Sequence, residues 1–144
     1  GSNVVSAMRN LKIPVLAIPQ DYSFKQPQKI CYACDFKNMD ASINDDLQKI
    51  ISITKAQLHI LNIGATLDVE NMKNYFANLS PILHQVAQED IDSAIGSFIN
   101  EHDMDWLIVV PHKHSFFGQL FHKSVTKALI KTSHIPVLAL HEQH

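Results

Sequence analysis

Residues 1–18 read GSNVVSAMRNLKIPVLAI, and residues 123–140 read KSVTKALIKTSHIPVLAL. The two stretches align without a gap at an offset of 122, and the run Ile13 to Ala17 is identical to the run Ile135 to Ala139. Each joins a short amphipathic helix to an apolar strand entered through proline. A repeat at this spacing is the length of a domain, well beyond the roughly 20–50 residues of a solenoid unit. Residues 1–19 are therefore expected to be the helix-and-strand tail of one copy, and residues 29–144 a whole second copy.

Between the two copies of the motif, the chain alternates strands and helices. QDYSFKQPQ (20–28) is polar with one proline and reads as a linker. Residues 29–34 form a continuous apolar strand. Ile43, Leu47, Ile50 and Ile51 mark a helix over 40–54, with Asp40 or Ser42 as its cap. QLHILNI (57–63) is a strand, and Val69, Met72, Phe76 and Leu79 predict a helix over 68–79. A weaker strand over 82–87 is followed by a helix over 90–101, whose Ile91, Ala94, Ile95 and Phe98 face inward. WLIVV (106–110) shows no polar alternation, so it is a strand buried on both faces. Residues 124–132 give the last helix and 136–140 the last strand. This order predicts an α/β three-layer sandwich with a five-stranded parallel sheet, with ligands gathering at the carboxyl ends of its strands.

Composition narrows the function. The chain has 144 residues, 46% of them apolar, with 4 glycines and 6 prolines, which suits one ordinary domain. No apolar run approaches the ~20 residues needed to cross a bilayer, and no secretory leader is visible, so we expect a cytoplasmic protein without membrane contact. The formal charge is −2 and Arg9 is the only arginine. Phosphate-reading proteins lean on the guanidinium fork, so no nucleic-acid partner is expected.

Cys31 and Cys34 make a C-x-x-C motif, but in a strand residues three apart point to opposite faces. A redox pair sits instead at a helix N-terminus. The two thiols are expected to be buried and structural.

The order of elements and three local signatures resemble the universal stress protein family, over residues 29–141. Ala33-Cys34-Asp35 ends the first domain strand where the family has a small residue and an Asp that meets the ligand's base and ribose. DWLIVVPHKH (105–114) is similar to the family's D-L-I-V-M-G-x-x-G. The tail KSVTKALIKTSHIPVLAL resembles its G-S-V-x-x-x-V-L-x-x-x-x-x-P-V-L-V-V. The resemblance implies the adenine-nucleotide alpha hydrolase-like version of the fold, and a ligand site around Ala33, Asp35, Ile63, Pro111, His114, Lys123, Ser124 and Val125.

ATP-binding members carry G-x2-G-x9-G-[ST], whose glycines let backbone N–H groups approach phosphate and whose last residues open a helix. In this chain Pro111, His114 and Lys123 stand at the three glycine positions, and eight residues instead of nine separate the last two. Proline removes a donor, and the other two side chains occupy the phosphate space. Only Ser124 and Asp35 keep their types. The expected function is a non-catalytic stress-response interaction module with a degenerate nucleotide motif and no resident cofactor. An ATP- or AMP-binding regulator with a rebuilt phosphate site is the alternative, with Lys113, Lys123 and histidines as cations.

The chain has nine histidines. His112, His114 and His122 share one loop, and H-x-H on an extended segment puts two rings on one side, so a zinc-responsive module is a further alternative. No carboxylate or thiol in that segment completes a tetrahedral set. His59 reads as a core or rim group of its strand, and His84, His102, His134, His141 and His144 as belonging to no constellation. No nucleophile, base and orienter converge in the sequence and no G-x-S-x-G elbow exists, so an enzyme is not expected.

An exposed apolar sheet edge invites pairing. In the resembled family the last strands of two domains cover each other antiparallel. Val15, Leu16, Ala17 and Ile18 are therefore expected to pair antiparallel with Val137, Leu138, Ala139 and Leu140. The extra edge strand, over 13–18, would be supplied within one chain as a pseudo-dimer or exchanged in a homodimer. A further protein partner stays unspecified.

Overall fold

The computed structural model describes residues 7–8, 12–34, 41–63, 69–87, 91–110 and 134–141. Their elements run β1 (Val15–Ala17), β2 (Lys29–Cys34), α1 (Ala41–Thr54), β3 (Gln57–Ile63), α2 (Val69–Tyr75), a 3₁₀ turn (Ala77–Leu79), β4 (Ile82–Val86), α3 (Ile91–His102), β5 (Trp106–Val109) and β6 (Val137–Ala139). The six strands form one sheet in the order β1-β6-β5-β2-β3-β4. Every neighbouring pair is parallel except β1 and β6.

Strand alternation sorts the side chains into two layers of core. On one face Cys31, Ala33, Leu61, Ile63, Leu107, Val109, Val137 and Ala139 pack under Ala94, Ile95, Phe98 and Ile99 of α3. On the other, Ile30, Tyr32, Cys34, Leu58, Ile60, Ile108 and Leu138 meet Ile43 and Leu47 of α1, together with Phe76 and Leu79. Burying the sheet on both faces explains why its strands are continuous apolar runs. It also makes the three-layer sandwich anticipated from the alternation of elements.

The antiparallel edge is present within one chain. Val15 pairs with Ala139, Leu16 with Leu138 and Ala17 with Val137. The ladder is shorter than the expected 13–18, and Ile13 and Ile18 are exposed on either side of it. Leu140 lies past β6, yet its N–H donates to the Val109 carbonyl at 2.9 Å and its side chain is buried.

One other expectation is corrected. The helix predicted over 68–79 is α2 followed by a separate 3₁₀ turn, which ends at Ser80 in the left-handed region with φ 46°. The segment read as a linker is fastened at its end. Asp105, just before β5, accepts the N–H groups of Gln28 and Lys29 at 2.8 and 2.9 Å and pairs with the Lys25 ammonium at 3.0 Å. The Gln26 amide donates to the Thr54 carbonyl at 2.8 Å, and Pro27 is buried. A single carboxylate with acceptor capacity at the amino end of the sheet draws in what composition alone presents as free chain.

Candidate functional site

The strand order reverses direction between β2 and β5: the chain steps outward through β3 and β4 on one side and through β5 and β6 on the other. The carboxyl ends of β2 and β5 therefore flank the crevice where an open α/β sheet receives ligand. Ala33 and Ile63, both predicted for this end, lie in the core layer under α3, with their side chains fully enclosed. Asn62 was not anticipated. It is fully buried at the same end of β3, in register with Cys34 on β2 and Gln85 on β4. The signal was an amide set between Leu61 and Ile63 in the apolar carboxyl half of QLHILNI. Asp35, Pro111, His112, His114, His122, Lys123, Ser124 and Val125 lie outside the described residues.

Cys31 and Cys34 are buried in different core layers and form no disulfide. Burial pushes the Cys31 thiol well above its usual range, which leaves it protonated and unreactive. At the opposite end of the sheet, burial raises the Asp105 carboxyl. The Gln28 and Lys29 amides and the Lys25 ammonium outweigh that and hold it below the usual carboxylate range. Asp105 is a structural clasp on the far side of the sheet from the ligand end.

The structure assembles one cluster that the linear sequence did not disclose. Leu61 is in register with His84, so His84 falls diagonally beside His59 on the face covered by α3. His59 Nδ1 and His84 Nε2 are 3.0 Å apart. The ring centroids are 5.3 Å apart with planes 18° from parallel. A nitrogen contact that short at that centroid separation means two rings meeting edge to edge in nearly one plane, as in an N–H···N hydrogen bond, not a face-to-face stack. His102 from α3 lies 5.1 Å from His84, and Phe98 packs against both, at 4.7 Å from His84 and 4.3 Å from His102.

His84 and His102 line a groove of about 600 Å³ between β4 and α3, shared with Gln85, Ser97, Phe98 and Glu101. The reading of His84 and His102 as isolated is thus corrected: strand register and helix packing join residues 25 and 18 positions apart. Burial, with His84, Lys29 and His102 adding positive neighbours, pushes His59 down to about 4. Burial and then His102 also lower His84. Among the described residues no group of three or more His, Cys, Asp or Glu side chains is placed to hold a metal ion. No helix among them is long and apolar enough to cross a membrane.

Comparison with known proteins bears on the whole arrangement. A model described as "Universal stress protein family" matches residues 29–141. A universal stress protein from Archaeoglobus fulgidus DSM 4304 is similar with a TM-score of 0.72 and 16% identity, over 96% of this chain and 53% of that one. A functionally unknown protein from Pseudomonas aeruginosa PAO1 gives 0.60 and 18%, over 95% of this chain and 55% of that one. A universal stress protein in complex with cAMP gives 0.58 and 14%, over 83% of this chain and 100% of that one. No curated protein matches. At these identities the solved structures show a shared fold, and the chain spans about half the length of the first two.

Proposed function

Because the chain belongs to the universal stress protein family, we propose that it is a non-catalytic stress-response interaction module whose nucleotide motif has degenerated. The observation that carries this reading is the replacement of the three motif glycines by Pro111, His114 and Lys123, with one residue lost from the spacing. A phosphate nest works through backbone N–H groups that face an open concavity. Proline supplies no N–H, and a side chain at either other position occupies the concavity.

Its partner is then protein. The antiparallel pairing of β1 with β6 supports assembly through the last strand, with residues 13–18 acting as a second copy of that strand. The relatives that are about twice as long support a tandem arrangement in which 1–19 closes a preceding domain.

A universal stress protein that carries cAMP shares the fold, which keeps nucleotide binding as the second reading, with Asp35 and Ser124 retained and the phosphates met by lysine and imidazole. Thermal unfolding with ATP, AMP and zinc added separately distinguishes these readings. A ligand at about 100 times its Kd stabilises by about 2.7 kcal/mol. The proposal expects no such shift with any of the three. A clear rise with ATP or AMP, or a co-crystal with phosphates seated on residues 111–124, overturns it in favour of the second reading. A rise with zinc alone points to the loop histidines.

A further inference from the structure

The His59–His84–His102 cluster lies on the edge-strand side of the sheet. Strand β4 is held by one neighbour only, since β3 flanks it and no described strand covers its other side. It is also the least buried of the longer strands, with Ile82 and Gln85 exposed. Within this lightly held unit, the contact between His59 and His84 crosses from β3 to β4, while Phe98 and His102 lay α3 over it.

An N–H···N bond between two imidazoles needs at least one unprotonated nitrogen at the contact. One proton added to the pair leaves the bond in place with a shared charge. A second forces two N–H donors to face each other at 3.0 Å. The titratable and charged groups facing the pair from the packed elements are Lys29 and Cys31 on β2, and Glu101 and His102 on α3. Cys31 stays neutral, and Lys29 and His102 both act as positive neighbours of His59. Among the described residues only Glu101, exposed at the groove, opposes them.

We propose that the His59–His84 pair, capped by His102, is an acid-operated latch that ties β4 and α3 to the sheet while neutral and releases them when doubly protonated. Release separates α3 from the face bearing Leu61 and Ile63 and widens the groove along β4. The depressed basicity of His59 and His84 agrees with this, because a latch that lets go only at its second charge must resist protonation at both rings. The inference is independent of the nucleotide end of the sheet, so a positive or negative result with ATP leaves it standing.

The test uses the intact chain. Imidazole resonances followed by NMR from neutral to acid pH should show His59 and His84 titrating as a coupled pair below the ordinary 6.5, with His59 near 4. Two independent titrations at the ordinary value overturn the latch. Amide exchange, corrected for intrinsic rate, should lose at least about tenfold protection in β4 and α3, relative to β2 and β5, between about pH 7.5 and 4.5. Loss spread evenly over the sheet, or none, overturns it as well. His84→Phe keeps an aromatic contact with Phe98 and removes the titrating ring, so it should abolish the selective loss. Selective loss that persists in a folded variant also defeats the proposal. Should that variant not fold, the two wild-type measurements decide.

Discussion

Asp105 shows how much one side chain can organise. It accepts two backbone N–H groups and an ammonium, and it is nearly enclosed. Changing it to Asn leaves one oxygen acceptor and puts an amide donor against donors. We expect Asp105→Asn to lower stability by about 1–3 kcal/mol, read from the urea midpoint, and to free the Gln28 and Lys29 amides to faster exchange. An unchanged midpoint would mean that the clasp holds nothing. This role was hidden in the sequence because its partners are main-chain amides 76 and 77 positions away, and no side-chain motif announces a backbone donor. The opposed facing of Cys31 and Cys34, in contrast, follows from strand alternation alone and was legible before any coordinates.

At the scale of elements, α3 combines a buried stripe with one weak position. Gly96 sits inside the helix, and a Cβ added there meets nothing within 4 Å. Gly96→Ala should therefore raise stability by about 0.5–1 kcal/mol through helix propensity and a less disordered unfolded chain, measured by thermal or urea unfolding. A loss would show that α3 packs more closely at this point than its geometry indicates. Strand β1 makes the opposite case. Ala17 is buried against the α3 layer, so Ala17→Asp should detach β1 and deprotect the amides of 137–139, while β2, β3 and β5 keep slow exchange. Continuous apolar runs and 3.6-residue stripes made most elements legible in advance. What sequence period could not supply was the relative register of β3 and β4 and the seat of α3, and those two facts alone create the imidazole cluster.

The molecule as a whole carries several groups that fold in their uncharged form. His59 ionises at 6.5 when unfolded and near 4 when folded, and His84 is shifted in the same direction. His141 is lowered by burial and by Lys12, against a backbone hydrogen bond to Met8 that raises it. Between those values the unfolded chain binds more protons than the folded one, so stability rises with pH across that window. The contribution is complete above 6.5 and drains away as pH falls towards 4. Asp105, depressed as a carboxyl, adds a loss at still lower pH. The urea midpoint should thus stay level from about pH 8 to 7 and decline steadily below about pH 6.5. A midpoint level through that range would contradict the assigned protonation states.

The β1–β6 ladder joins residues 15–17 to residues 137–139, and this bears on the timing of folding during synthesis. At roughly 5–20 residues per second, β6 leaves the ribosome on the order of ten seconds after β1. Throughout that interval β1 lacks its partner, with Ile13, Leu16 and Ile18 turned outward even in the finished molecule. The parallel pairs β2–β3 and β3–β4 span far shorter stretches of chain and carry a smaller loop-closure cost. The sheet thus grows from its β2–β4 side, and the contact of longest sequence separation closes last. An apolar strand kept waiting for that long is a natural substrate for a chaperone on the nascent chain.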